Sequence, residues 1–361
     1  MYKFIKKIKN PMKIAVIGAG IFGVTIAIRL AKNHQVELYE KNEDIMMAAS
    51  DVNNCRVHKG YHYPRSNKTV QEVLEANQKF SEEYNECIMN SKNYVCVAKK
   101  DSLVSGKEYL NFCDHNNLKY KITDLDLIDK NSIEVCLKIE EYIFDHKKLK
   151  EICKRKLENS KIKIHFNSNV TKDLFKKFDL VVICTYGITG DFLDNYPKFQ
   201  REYQFEVCEK VFVKLPKEFL NKSILVMDGP FMSIDPVGNT GIFTIGDVEN
   251  TVLQRSTGVK PIVDAKYLSI LDKGIIKNPP FSNSDKFIES GIRFMPELKN
   301  AEYIGSSFCI KTTLANVDDT DERPTIIDQI DEKTINVFSG KIPTCVNAAN
   351  KVEELIKKMQ K

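Results

Sequence analysis

Lys13-Ile14-Ala15-Val16-Ile17 runs straight into Gly18-Ala19-Gly20-Ile21-Phe22-Gly23, and Glu40 closes the next apolar run, Val36 to Tyr39. The glycine spacing carries weight because of what surrounds it. An apolar stretch rich in β-branched residues precedes it, and a helical pattern follows with Phe22, Ile26, Ile28 and Leu30. The acid falls about 20 residues beyond the glycines, where a dinucleotide fold presents a carboxylate to a ribose diol. Gly18 allows the tight turn, Gly20 lets a pyrophosphate approach the backbone, and Gly23 brings helix and strand close. The helix start then offers free N–H groups and partial positive charge to phosphates. A βαβ unit of this kind commits the chain to an α/β domain that holds a dinucleotide.

The rest of the composition limits the remaining options. A chain of 361 residues has room for about two domains. With 54 Lys+Arg against 49 Asp+Glu, the charge is too balanced and too evenly spread for a nucleic-acid binder. No apolar run reaches the length of a transmembrane helix. Residues 1–11, MYKFIKKIKNP, alternate basic and apolar positions. They read as a flexible basic leader or an upstream start ahead of Met12, with a membrane-surface anchor as the rival. Ten cysteines lie scattered with no C-x-x-C pair. Together with the missing secretory signal, this points to reduced thiols and a cytoplasmic location.

Along the chain, helical spacing covers 69–89 and 105–117, and strands are expected near 94–98, 118–122 and 133–139. Asp145 is placed to cap a helix over 146–157, and a strand follows at 161–166. Val170 opens a hairpin-like stretch. DLVVICTYG (179–187) reads as a buried parallel strand ending at a glycine. Residues 200–250 are β-rich, 251–285 loop-rich, and strands are expected near 288–294 and 306–312. A last strand, Ser339-Gly340-Lys341 and a helix to about 359 end the chain. The fold class is therefore α/β, with a discontinuous Rossmann-like domain from 12–85, 145–200 and 295–361. Residues 86–144 and 200–294 would form a second, α+β domain on a mostly antiparallel sheet, the substrate domain.

These segments resemble the FAD-dependent oxidoreductases of the D-amino-acid-oxidase fold. The resemblance rests on VIGAGIFG with Glu40, on DLVVICTYG, and on ERPTIID (322–328) followed by INVFSGK (335–341). VMDGPFMSIDPVGNTGIFTIGDV (226–248) is similar to the family's substrate-domain strands. Within the family, Asn53, His58, Gly60 and Tyr63 match a segment of the L-2-hydroxyglutarate dehydrogenase branch. Arg56, His62, Arg65 and the ending GKIPTC depart from that branch, so the substrate does not carry over. The resemblance implies FAD as cofactor. It places Gly18, Ala19, Gly20, Ile21, Phe22, Gly23, Glu40, Lys41, Asn53, Arg56 and Val170 beside it. Further along the chain it adds Cys184, Thr185, Gly187, Gly340, Lys341 and Ile342. Gly60-Tyr61-His62 also resembles a segment of the UDP-galactopyranose mutases, without a match elsewhere.

NNCRVHKGYHYPRS (53–66) is the densest functional cluster, and the resemblance lays it along the flavin ring. Oxidation of a C–OH or C–NH group needs a base for the proton of the heteroatom, and histidine is the natural one near neutral pH. A cation must hold any carboxylate, and arginine does so through two parallel hydrogen bonds. The expected catalytic residues are His58 or His62 as base, with Arg56 and Arg323 orienting a small anionic substrate. That substrate would be a 2-hydroxy acid, an amino acid or a sugar derivative. The electron acceptor is left open between oxygen, a quinone and a carrier protein. His58 and His62 have the four-residue gap of two metal ligands on a helix. Gly60 and Pro64 argue against a helix, no third ligand is in sight, and no metal is expected. A covalent link from flavin to His58 or Cys55 is a further reading. The rivals in function are a flavin mutase acting on a nucleotide sugar and a protein that binds FAD without catalysis.

Overall fold

The computed structural model describes residues 11–229, 231–317 and 322–360. The leader expected at 1–11 lies outside them except for Pro11. Two sheets organise the chain. The first has six strands in the order Ile326–Gln329, Thr334–Phe338, Leu180–Ile183, Lys13–Ile17, Gln35–Tyr39 and Lys163–His165. All pairings are parallel except the outermost, between Ile326–Gln329 and Thr334–Phe338. Parallel strands are covered on both faces, and the central one shows it. Ile14 and Val16 face the helices Ile21–Leu30, Asn67–Glu83, His146–Glu158 and Cys345–Met359, while Ala15 and Ile17 face Phe178 and Phe192. Asp145 caps its helix as expected, accepting from the N–H groups of Lys147 and Lys148.

The second sheet has nine strands and is antiparallel apart from Lys222–Met227 beside Lys92–Ala98. Its spine is Tyr203–Lys214, paired along its length with Glu302–Leu314. A small third sheet joins Arg56–Val57, Tyr142–Phe144 and Ile88–Met89.

Several expectations change. Glu302–Leu314 belongs to the large sheet, so the nucleotide-binding part resumes after 314 rather than at 295. Ile88–Met89 and Tyr142–Phe144 pair beside the first domain and not within the second: Tyr142–Phe144 is the middle strand, with Arg56–Val57 on its other edge, and Phe144 and Val57 join the first domain's core. Residues expected as a strand at 288–294 are mostly the helix Ser284–Ile292, which buries Phe287 and Gly291 at helical spacing. A short apolar run does not separate the two by period alone. The loop-rich stretch contains the strand Val252–Gly258, and no hairpin forms at Val170; a short 3-10 helix, Lys172–Lys177, follows it.

Candidate active site

A cleft of about 800 Å³ runs between the first sheet's strand ends and the face of the second sheet. Its nucleotide end is built from the opening motif. Gly18 has φ +95°, and a Cβ there would sit 2.5 Å from the Cys184 carbonyl oxygen. A Cβ on Gly23 would stand 1.8 Å from the Gly18 carbonyl oxygen, so turn, helix and strand close up only without side chains. Glu40 is held by two backbone donors: Ala19 N–H to Oε2 at 2.7 Å and Asn42 N–H to Oε1 at 3.0 Å. Ser50 accepts from Ile21 N–H at 3.0 Å, and Asn53 braces the same loop by accepting from Cys55 N–H. Lys41 pairs with Asp272 at 3.5 Å across the cleft.

Gly18, Gly20, Ile21, Phe22, Glu40, Lys41, Asn53 and Val170 line this cleft, as do Cys184, Thr185 and Gly187. Gly340, Lys341, Ile342 and Arg323 close its far end. Ala19 and Gly23 lie behind the lining and shape it from within the turn. An acid positioned at the second strand, a glycine cradle with no room for Cβ atoms and a cleft of this length fit FAD.

Between that end and the large sheet lies a buried polar cluster. His58 and His62 line the cleft with their side chains 12 % and 14 % exposed, their rings 4.6 Å apart. Glu141 Oε1 lies 3.6 Å from His58 Nδ1 and 3.3 Å from His62 Nε2. Glu141 Oε2 accepts from Lys59 N–H at 3.2 Å. Arg56 has no exposed side-chain surface; its Nη2 pairs with Asp235 at 2.8 Å and its Nη1 lies 3.9 Å from Glu141. Ser223 donates to Asp235 at 2.7 Å.

Burial pushes the His58 imidazole below its ordinary value and that of His62 down to about 3, against the pull of Glu141. Burial alone would raise the Glu141 carboxyl, but the neighbouring histidines outweigh it and hold it well below the usual range. Near neutral pH the cluster is one carboxylate facing two neutral imidazoles.

This arrangement alters two expectations. Arg56 is already engaged by two buried carboxylates, so it is a poor clamp for a substrate carboxylate even though it lines the cleft. Glu141 is also the third metal-type ligand that the sequence did not reveal. His58–Ser66 is non-helical, as Gly60 and Pro64 imply. The guanidinium Nη1 of Arg56 sits 3.2 Å from His62 Nε2, which opposes a divalent cation there. Arg56 and Lys210 also offset Glu141 and Asp235 in charge. Cys55 has its thiol raised to about 12 by burial, which disfavours it as a nucleophile toward flavin.

Arg323 donates to the Glu322 carbonyl, and Lys341 stacks its ammonium over Tyr63 at 5.1 Å. Lys210, which sequence reasoning missed, projects from the large sheet into the cleft. It is buried, with one hydrogen bond to Asn54 Oδ1 at 3.2 Å, and burial lowers its ammonium. Glu206 on the same strand holds Arg255 and Lys311 at 2.9 and 2.7 Å. The available signal for Lys210 and Asp235 was a charge inside a strand run; Glu141 lies between the strands Ile133–Ile139 and Tyr142–Phe144 and carried no such signal.

Comparison with known proteins agrees with this geometry. The chain is 25 % identical to the FAD-dependent monooxygenase FPY4 of Fusarium mangiferae, over 96 % of this chain and 92 % of that protein. It is 25 % identical to the FAD-dependent monooxygenase kojA of Aspergillus flavus, over 97 % and 87 %. Among solved structures, glycine oxidase from Geobacillus kaustophilus superposes with TM-score 0.71 at 13 % identity, covering 97 % of this chain and 95 % of that one. L-α-glycerophosphate oxidase from Mycoplasma pneumoniae gives 0.71 at 13 %, covering 96 % and 95 %. These structures share the fold. The sequence pattern of the family "FAD dependent oxidoreductase" (DAO) matches residues 13–209, more than half of the chain. With its glycine turn, its acid and its two-sheet architecture, the chain belongs to the DAO family of FAD-dependent oxidoreductases.

Proposed function

We propose that this enzyme oxidises a C–OH or C–NH group of a small anionic substrate: a 2-hydroxy acid, an amino acid or a sugar derivative. Bound FAD supplies the hydride acceptor. The observation that carries the reading is the His58–His62–Glu141 cluster on the cleft wall, with neutral imidazoles placed to take a proton. Arg323, Lys341 and Lys210 line the same cleft, the first two from neighbouring backbone and Lys210 from the large sheet, and supply positive charge for the anion. Arg56 organises the two buried acids rather than the substrate. The ten cysteines are all unbonded, which supports a reducing, cytoplasmic setting. Among the described residues no helix is long and apolar enough to cross a membrane.

The test is anaerobic absorbance at flavin wavelengths during addition of 2-hydroxy acids, amino acids and nucleotide sugars. Bleaching by one compound supports the reading and names the substrate class. The names of the fungal relatives suggest oxygen insertion instead. An enzyme of that kind needs an external reductant, so a flavin that bleaches only with a reduced nicotinamide would refute direct substrate oxidation. Turnover of a nucleotide sugar by prereduced protein, with no net redox, would move the assignment to a mutase.

A further inference from the structure

We infer that Glu141 is a positioning residue that fixes the tautomer of His58, which makes His58 rather than His62 the proton acceptor. The inference rests on the oxidoreductase reading above for its purpose, but its geometry stands alone. His58 Nδ1 and Glu141 Oε1 are both buried without a hydrogen-bond partner, and they face each other at 3.6 Å. That separation is slightly longer than a hydrogen bond. A proton on Nδ1 directed at Oε1 lets a small approach pair both atoms, and without it both stay buried and unmatched. The carboxylate is itself fixed, because Lys59 N–H holds Oε2 and the Asn93 side chain donates to the Glu141 carbonyl at 2.6 Å.

His62 has the opposite arrangement. Its Nε2 lies 3.2 Å from Arg56 Nη1, and a guanidinium can only donate. Glu141 Oε1 also lies 3.3 Å from His62 Nε2 but makes no hydrogen bond with it. Nε2 of His62 is therefore the acceptor from Arg56 and its proton is on Nδ1, so the ring offers the cleft a donor. His58, with its proton on Nδ1, keeps a lone pair on Nε2. That nitrogen makes no hydrogen bond among the described residues and is not sealed from solvent. With FAD bound, His58 Nε2 would take the proton of the substrate O–H or N–H, and the cofactor would supply the acceptor for the hydride of the C–H bond, leaving a carbonyl or imine. Glu141 then faces an imidazolium and stabilises it. Besides Glu141, the groups acting on His58 are Lys341 and Arg56, which oppose its protonation, with the His62 and Tyr63 rings packed against it.

The experiment is long-range proton–nitrogen correlation NMR on FAD-loaded protein labelled at the ring nitrogens of its six histidines. His58→Asn and His62→Asn variants assign the signals. The expected result is His58 in the Nδ1–H form from pH 6.5 to 9. Glu141→Gln, whose amide oxygen still accepts, should keep that form but move His58 titration to more acid pH. Glu141→Leu should let the Nε2–H form dominate. An Nε2–H signal for His58 in the unmodified protein, or an unchanged His58 titration in Glu141→Gln, would overturn the inference. The tautomer is read in the unmodified protein once its signals are assigned, so a poorly folding Glu141 variant does not block the test. Because no substrate is involved, failure of the oxidoreductase reading shows separately, in the absorbance experiment.

Discussion

Replacing Arg56 by Met separates its two roles. As a substrate clamp, Arg56 would cost affinity when lost and little stability. As the counter-charge of Asp235 and Glu141, it would cost stability directly. Its side chain is fully buried and its partners are 2 % and 0 % exposed, so its loss leaves two carboxylates in a low-dielectric site. Removing one partner of such a pair costs about 3–5 kcal/mol. Unfolding entropy near 2.1 cal/mol/K per residue gives about 0.8 kcal/mol/K for 361 residues, hence a fall of about 4–6 °C in Tm. The assay is thermal release of flavin followed by its fluorescence, in Arg56→Met, Asp235→Asn and the double variant. The double variant should recover part of the loss, with a coupling of about 1–3 kcal/mol, because the amide no longer needs a counter-charge. An Arg56→Met protein melting within about 1 °C of the parent, with a raised KM, would refute the ion-pair account and restore Arg56 as the clamp.

Gly18→Ala meets both a positive φ and a carbonyl oxygen 2.5 Å from the new Cβ; at a cost of about 2 kcal/mol, FAD binding should weaken about 30-fold. The ratio of flavin to protein absorbance after dialysis measures this. Glu40→Gln removes the charge from an acceptor of two backbone N–H groups, so FAD release by equilibrium dialysis should rise about 10-fold or more. His62 has a folded value near 3 against an ordinary 6.5, so the unfolded chain binds the extra proton between those limits. Stability from this group is complete above pH 6.5 and falls as pH drops through that window, by roughly 2 kcal/mol at pH 5. His62→Asn should flatten that part of the Tm–pH curve, and an unchanged slope would count against a neutral buried His62. Lys210→Met should raise the KM for an anionic substrate about 10-fold while leaving Tm unchanged or higher, since a buried ammonium with one hydrogen bond is costly to keep.

The nucleotide end of the cleft was legible because its determinants are local. Gly18, Gly20, Gly23 and Glu40 fall within one βαβ unit, where turn, helix start and strand end follow from spacing. The later contributors, Cys184 to Gly187 and Gly340 to Ile342, each sit at a strand end in the same parallel sheet. A parallel sheet places such ends on one edge. The histidines were legible as residue types in a dense loop, but their roles were not.

By itself, the sequence determined an α/β chain with a dinucleotide cradle, a second sheet of antiparallel strands and a polar loop rich in bases and cations. The tertiary structure decided which of those groups meet. Glu141 reaches His58 because Tyr142–Phe144 pairs with Arg56–Val57, a contact spanning more than 80 residues of chain. Asp235 reaches Arg56 from a strand of the other sheet, and this turns an expected substrate clamp into half of a buried ion pair. Pairing partners, burial and counter-charges depend on which surfaces face each other across the cleft. Sequence periodicity gives the face of each strand, but not the residue opposite it.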